Sequence, residues 1–370
     1  MAYFVCFAVS ILFAYLANKA KKKSLFLLFS VISVLIPVML AGMRDYSIGV
    51  DVKNYLKMDR FWAGAQKAES LVEYLKYYLS LGLREPLFAL YIGAIEKITG
   101  EYRVFLILSH TIIMTGVYIG AYRMRKHARP EMVLILFFLL YYNYSLNTVR
   151  QYIAMAVVFA FFADLERRKF LRYAIVVAVM SLVHTTTLLA FVPLVLYIIL
   201  YPKRGIYEVP LKKKIILSAL IIVGVVVFIP MVRLMMRIGV LGTKYTFYLK
   251  DEFERMSFTR MGLIVLEIAG FVYCYKKLQE HIECADFYLI NTVVFVCFQQ
   301  LAMMIVYGQR VTAYFSFANI VTLSMFPKCQ TDKKKRYILY ATITALCLYY
   351  WYYMYVKNLS SQTIPYVLGV

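Results

Sequence analysis

Charged residues are scarce in this sequence, and acidic residues are scarcer than basic ones. Only 17% of the 370 residues are charged, and 20 Asp and Glu stand against 42 Lys and Arg, which leaves a net charge of +22. A water-soluble domain carries about 25% charged residues, so this composition excludes an ordinary soluble protein. The hydrophobic fraction of 62% and the mean hydropathy of +0.68 favour a chain that lies mostly in lipid.

Paired cysteines are missing as well. The 6 cysteines are scattered, and no two of them are spaced as Cys-x-x-Cys. We therefore predict neither a disulfide framework nor a zinc site. What the chain has instead is a series of continuous apolar runs rich in Leu, Ile, Val, Phe and Tyr. Runs of about 20 such residues predict membrane-spanning helices, so the predicted fold class is an all-α polytopic membrane protein.

About twelve crossings fit the apolar runs. The basic residues form short clusters directly after many of these runs, so we attribute the net charge to the positive-inside rule and not to nucleic-acid binding. With the basic clusters in the cytoplasm, both termini are predicted to lie outside. No repeat or linker divides the chain, so we predict one domain over residues 1–370. The runs cover residues 3–17, 25–42, 104–122, 132–146, 148–163, 171–184, 186–201, 214–237, 261–276, 286–307, 310–326 and 337–356.

The stretch from Arg44 to Arg103 is constrained by the basic clusters on either side of it. Since both clusters prefer the cytoplasm, this stretch must cross the membrane an even number of times. Its apolar run from Leu87 to Ile98 has only about 12 residues, so we predict a re-entrant or interfacial helix on the outer side. Two full crossings are the alternative, and they would move Glu85 to the cytoplasm.

Three arginines lie where apolar helices meet the predicted outer face. Arg44 ends a helix, whereas Arg150 and Arg310 enter helices from that side. The guanidinium group is a rigid fork of donors that suits phosphate, so we predict an anion at the outer leaflet. The alternatives are interfacial snorkelling by Arg44 and, for Arg150, a salt bridge inside the bundle with Asp51 or Glu85.

Two acids and a histidine share the same predicted side. Asp51 follows a glycine-containing turn, Glu85 precedes a proline that opens a helix, and His184 lies at a corner between two helices. Each side chain can accept a proton. The alternatives are helix capping by the two acids and a packing role for His184. Together with the three arginines, these residues would suit a polyanionic substrate whose hydroxyl must be deprotonated.

Tyr366 belongs to a C-terminal Ile-Pro-Tyr segment. This segment can close a pocket, but a frayed chain end is an equally good interpretation.

The order of these motifs resembles the EpsG family of exopolysaccharide polymerases, which are relatives of the Wzy O-antigen polymerases. The resemblance runs from Arg44 to Tyr366. It is carried by R-D-x-x-x-G-x-D-x-x-N-Y, E-P-L-F, N-T-V-R-Q-Y-I-A, L-V-H-T-T-T-L-L, R-V-T-A-Y-F and I-P-Y, in that order.

The resemblance implies a GT-C-like glycosyltransferase that joins undecaprenyl-diphosphate-linked repeat units on the outer face of the bacterial cytoplasmic membrane. Arg44, Arg150 and Arg310 would bind the diphosphate. Asp51 or Glu85 would be the general base, with His184 sharing that task or bonding to phosphate. Four further residues would be lesser candidates for lining the cavity: Tyr55, Gln151, Tyr314 and Tyr366.

The partners implied by the resemblance are a lipid-linked glycan donor and acceptor, membrane lipid, a flippase and a chain-length regulator. No nucleic acid, cofactor or metal is expected. Three alternative functions are a flippase or transporter of lipid-linked oligosaccharide, an O-antigen-ligase-like glycosyltransferase, and a structural membrane partner.

Overall fold

A computed structural model describes residues 1–205, 207–238, 258–301 and 308–369. All regular elements in these residues are helical, and the only β-type pairing described there is an isolated antiparallel bridge between Arg44 and Leu368. The all-α prediction is therefore confirmed for this part of the chain. The chain divides into two compact units, Met1–Leu188 with Ile343–Val370, and Leu189–Thr342. The single domain over residues 1–370 stays a prediction.

The first unit begins with a run of helices joined by short turns. A 3₁₀ turn over Thr185–Ala190 follows the last of them. In chain order the helices are α1 (Ala2–Lys19), α2 (Lys23–Gly42), α3 (Val50–Lys57), α4 (Trp62–Lys67), α5 (Leu71–Ser80), α6 (Pro86–Thr99), α7 (Tyr102–Arg123), α8 (Pro130–Leu140), α9 (Tyr142–Asn147), α10 (Val149–Ala160), α11 (Ala163–Glu166) and α12 (Phe170–Ser181).

The second unit contains the next five helices of the described residues. They are α13 (Phe191–Leu200), α14 (Leu211–Arg237), α15 (Phe258–His281), α16 (Ala285–Leu301) and α17 (Gly308–Met325). A 3₁₀ turn over Phe326–Cys329 follows α17, and the chain continues into α18 (Lys333–Trp351). A π-helical turn over Tyr352–Lys357 and a 3₁₀ turn over Ser360–Gln362 lead to the C-terminal tail.

Four helices in the described residues are long and apolar enough to cross a membrane, namely α1, α2, α7 and α14 over Leu211–Met235. These helices support a membrane protein. The count of about twelve crossings and the GT-C-like fold stay predictions. The stretch from Arg44 to Arg103 contains only short helices, of which α6 is the longest at 14 residues. The helix expected at Leu87 to Ile98 is thus present, and its placement at a membrane surface stays a prediction.

Several predicted runs are interrupted in the structure. Residues 132–146 form α8 and α9 with a break at Tyr141, whose φ of −131° leaves the helical region. Residues 148–163 similarly form α10 and the start of α11, and residues 186–201 begin in a 3₁₀ turn. Hydropathy does not detect these breaks, because it is averaged over a window that is longer than a break. The last part of the predicted run 286–307 lies outside the described residues.

Small residues allow α10 to pack closely against α7. A Cβ atom added to Gly116 of α7 would lie 2.5 Å from the carbonyl oxygen of Ala156 in α10. Such a distance is well inside van der Waals contact, so only glycine permits this approach. The packing matters for the site described below, because α10 begins at Val149 and carries Arg150 in its first turn.

Gly116→Ala is therefore expected to destabilise the protein by about 1–3 kcal/mol through overpacking between α7 and α10. Gly224→Ala is the matched control, since a Cβ atom added to this helical glycine of α14 meets nothing within 4 Å. The control is expected to be neutral or slightly stabilising because alanine favours the helix. Thermal unfolding in detergent measures both effects, and equal melting temperatures for the two variants would contradict the close packing.

Candidate active site

Glu85 is the centre of a buried polar cluster in the first unit. It is the N-cap residue of α6 and is followed by Pro86 at the first helical position, but its side chain makes no capping hydrogen bond. Its carboxylate instead accepts hydrogen bonds from Arg150 Nη1, from His184 Nδ1 at 2.8 Å and from the backbone N–H of Thr185 at 3.0 Å. The capping alternative therefore does not describe what this carboxylate does.

Backbone contacts bring Glu85 and His184 together. The N–H of Leu87, in the first turn of α6, donates to the carbonyl oxygen of Leu182 at 3.1 Å. The chain then leaves α12 and turns at His184, whose own N–H donates to Met180 O at 3.0 Å. This corner presents the imidazole ring and the Thr185 N–H to the same carboxylate oxygen. Two motifs that are 99 residues apart in sequence thus form one contact.

Arg150 completes the cluster and contacts both a carboxylate and two aromatic rings. It forms an ion pair with Glu85, and its guanidinium carbon lies 5.5 Å from the ring centroid of Phe61 and 6.0 Å from that of Phe88. Cation–π contacts of this kind orient the plane of the guanidinium. The Arg150 side chain keeps 22% of its surface exposed, so it is not sealed inside the protein. The salt bridge with Glu85, one of the two partners expected for Arg150, is confirmed.

The electrostatics of the cluster keep Glu85 ionised. Burial raises the pKa of Glu85, but the hydrogen bond from His184, the charge of Arg150 and the Thr185 N–H together lower the pKa to about 2. A carboxylate with so low a pKa is a weak general base at neutral pH. It is suited to orient His184, because accepting the Nδ1 proton places the basic lone pair of the imidazole on Nε2.

This pKa predicts an acid-dependent loss of stability. A carboxyl whose pKa falls from its ordinary 4.5 to about 2 on folding stabilises the folded state fully above pH 4.5. The contribution, about 3 kcal/mol, is lost as the pH falls through 4.5 towards 2. We expect Glu85→Gln to remove this part of the pH dependence of the melting temperature in detergent. An acid limb identical to that of the wild type would contradict the assignment.

The Arg44 to Asp51 motif docks on the corner that precedes Arg150. Asp51 donates its backbone N–H to Asn147 Oδ1 at 2.8 Å, and it lies in the first turn of α3, whose N-cap is Gly49. The Asp51 side chain therefore does not act as the helix N-cap. Gly49 has a φ of +92°, and a Cβ atom there would lie 3.0 Å from Leu146 O, so the glycine of the motif is required for this docking. Asp51 also interacts electrostatically with Arg150.

Arg44 is the most deeply buried of the predicted site residues. It is 0% exposed, and its guanidinium donates to the carbonyl oxygens of Ala41 and, at 2.9 Å, Leu146. Its Nε atom has no hydrogen-bond partner, and no carboxylate of the described residues forms a salt bridge with it. A buried charge without a counter-charge is costly. Its role in binding diphosphate stays a prediction.

The C-terminal tail is fixed beside Arg44. Tyr366 donates its hydroxyl to Leu40 O at 2.9 Å, Leu368 forms the bridge with Arg44, and Gly369 N donates to Met43 O at 2.8 Å. The frayed-end interpretation is wrong for this segment. Tyr366 is half-buried against the end of α2 and interacts electrostatically with Arg44.

The remaining predicted residues are distributed between the two units. Tyr55 is buried, its ring centroid lies 5.7 Å from that of Phe88, and it interacts electrostatically with Arg150. Gln151 is buried in the first turn of α10. Arg310 and Tyr314 lie in the first two turns of α17, in the second unit. Their membership of a common site with Glu85 stays a prediction.

Two contributors to the cluster were missed by the sequence analysis. Phe61 precedes a six-residue helix in a stretch with no helical periodicity, so nothing in the pattern assigned its ring to Arg150. The Thr185 N–H is a backbone donor and leaves no signal in residue type. The corner at His184 indicates such a donor, because backbone N–H groups at the start of a new turn have no partners within a helix.

Comparison with known proteins gives one family. The model of the EpsG family matches residues 27–368. No curated protein and no solved structure matches the chain. The match covers every residue of the polar cluster as well as Arg310 and Tyr314.

Proposed function

Because the chain belongs to the EpsG family, whose membership suggests an exopolysaccharide-polymerase-type function, we propose that it is a membrane glycosyltransferase. Its substrates are proposed to be undecaprenyl-diphosphate-linked oligosaccharide repeat units. It would join them into exopolysaccharide or O-antigen on the outer face of the bacterial cytoplasmic membrane. The single observation that carries this proposal is the contact of Glu85 with both Arg150 and His184.

This contact combines the two functions that glycosyl transfer from a diphosphate requires. His184, oriented by Glu85 through Nδ1, is the proposed general base. Arg150, with part of its surface exposed, is the proposed binder of the diphosphate. Both side chains contact the carboxylate of Glu85, so a sugar hydroxyl at His184 and a diphosphate at Arg150 would be close to each other.

The proposed reaction transfers one proton and replaces the bond between the donor sugar and the diphosphate with a glycosidic bond. His184 Nε2 takes the proton of the acceptor sugar hydroxyl, and the resulting oxygen attacks the anomeric carbon of the donor glycan. The bond between this carbon and the lipid diphosphate breaks as the new glycosidic bond forms. The diphosphate leaves with the additional negative charge, which Arg150 stabilises. The proton on His184 is then released to water.

The other predicted residues are assigned supporting roles. Asp51 remains the second candidate for the general base because it interacts with Arg150. Arg44 and Arg310 remain candidates for binding diphosphate oxygens. Tyr55, Gln151, Tyr314 and Tyr366 are proposed to line the cavity. The lipid-linked donor and acceptor, a flippase and a chain-length regulator are the proposed partners, and no metal is invoked.

A flippase or transporter of lipid-linked oligosaccharide is the main alternative, and an O-antigen-ligase-like enzyme is the second. A transporter also needs arginines for the diphosphate. It does not need an imidazole whose tautomer is set by a buried carboxylate, and this contact favours an enzyme. The ligase differs only in its acceptor, and nothing in the described residues distinguishes the two acceptors.

The proposal is tested with purified protein in detergent or proteoliposomes and a lipid-linked repeat unit. We expect a ladder of products that differ by one repeat, with release of free lipid diphosphate. Transfer of the substrate across the bilayer without new glycosidic bonds would support the transporter. Transfer of a glycan to a different acceptor, without a ladder, would support the ligase.

A further inference from the structure

Tyr78 carries a buried hydroxyl that has no hydrogen-bond partner among the described residues. The side chain is 0% exposed, and in this part of the chain its oxygen atom has neither a donor nor an acceptor within hydrogen-bond distance. Tyr74, one turn earlier in α5, differs in this respect, because its hydroxyl donates to Arg60 O at 3.0 Å. Leaving a buried hydroxyl unpaired is unfavourable. An unpaired hydroxyl in a polar cluster suggests a bond that is made in another state of the protein.

The neighbours of Tyr78 are the residues of the proposed active site. Its hydroxyl interacts electrostatically with Glu85, Arg150, Arg60 and Tyr55. Helix α5, which ends at Ser80, packs against α6, and Glu85 is the N-cap residue of α6. The hydroxyl is therefore held close to the ion pair between Glu85 and Arg150 by two packed helices.

The two oxygens of Glu85 differ in how many donors they have. Oε1 accepts from His184 Nδ1 and from the backbone N–H and hydroxyl of Thr185, whereas Arg150 is the only donor to Oε2 among the described residues. If Arg150 turns to an anionic substrate, Oε2 loses this donor while it remains buried. A buried carboxylate oxygen without a donor would raise the free energy of the bound complex.

We propose that Tyr78 is the reserve donor for Glu85, and that its hydroxyl hydrogen-bonds Oε2 when Arg150 leaves this oxygen for the diphosphate of the substrate. The inference rests on the proposed function, because it needs an anion that competes for Arg150. Tyr78 is thus a positioning residue that keeps Glu85 in place beside His184. Burial, with a contribution from the charge of Glu85, raises the pKa of Tyr78 to about 12, so the hydroxyl keeps its proton and can donate.

Tyr78→Phe tests this role because it removes only the hydroxyl. We expect the free variant to be at least as thermally stable as the wild type, since an unpaired buried hydroxyl is lost. Undecaprenyl diphosphate, used as the probe in detergent, is expected to bind about tenfold more weakly, and KM for the lipid-linked substrate is expected to rise about tenfold with a much smaller change in kcat. If the hydroxyl contributed only to packing, its removal would not weaken diphosphate binding while leaving the thermal stability of the free protein unchanged or higher.

Tyr74→Phe is the matched control on the same helix. It loses a hydrogen bond of the free protein, so it should lower the melting temperature and leave diphosphate binding unchanged. Wild-type binding by Tyr78→Phe, or a lower melting temperature of its free form, would overturn the reserve-donor role. Diphosphate binding by the wild type without any glycan ladder would refute the proposed polymerase and leave the role of Tyr78 standing.

Discussion

His184→Asn is expected to reduce polymerisation about 10²–10⁴-fold while the protein remains folded. The asparagine side-chain amide can take the place of Nδ1 and donate to Glu85 Oε1, which His184 now contacts at 2.8 Å. It has no atom in the place of Nε2, so the proposed proton acceptor is lost. The loss should appear in kcat, since the proposed binder of the diphosphate is Arg150 and not the imidazole. Product ladders and single-turnover rates with a lipid-linked repeat unit measure this effect.

His281→Asn is the control for a histidine outside the cluster. His281 is exposed at the end of α15 and contacts the carbonyl oxygen of Lys277. We expect its activity to match that of the wild type. If His184→Asn retained most of its activity, the general base would have to be sought elsewhere, and Asp51→Asn would be the next variant to measure.

Arg150→Lys is expected to lower kcat/KM about 10²–10³-fold even though the positive charge is kept. Lysine replaces a planar fork with a single ammonium group, and it cannot offer two parallel donors to a diphosphate. It also weakens the cation–π contacts with the rings of Phe61 and Phe88, which contribute about 1 kcal/mol. The ion pair with Glu85 can still form, so a large loss of folding stability is not expected.

Arg84→Lys separates this effect from a general need for positive charge. Arg84 is exposed and immediately precedes Glu85. It should tolerate the change without loss of activity. Wild-type turnover by Arg150→Lys would show that the guanidinium fork is not used, and it would refute the proposed diphosphate contact at this residue.

The helical content was predictable from the sequence, because long continuous apolar runs satisfy their backbone hydrogen bonds in lipid as helices. Helices α1, α2 and α7 lie within two residues of the predicted boundaries. The breaks at Tyr141 and after Ala160 were not predictable. They depend on packing between helices, and hydropathy averages over a window that is longer than a break.

The candidate site was predictable in its members but not in its pairings. Glu85, Arg150 and His184 were each recognised as polar residues at ends of apolar helices. The sequence did not decide whether Arg150 would form a salt bridge with Asp51 or with Glu85, because the predicted topology allowed either pair. The structure pairs Arg150 with Glu85, and the bond from the N–H of Leu87 to Leu182 O places the same carboxylate at the His184 corner.

The sequence by itself determined a membrane-embedded helical chain and the types of residue available for chemistry, since composition and hydrophobic periodicity act locally along the chain. Tertiary structure alone decided that Glu85 orients an imidazole rather than capping a helix, that Arg44 is sealed among carbonyl oxygens, and that the tail is fixed. Those outcomes depend on contacts between residues far apart in sequence. Their energies are set by burial and by the distances between atoms, and neither can be read from the order of residues along the chain.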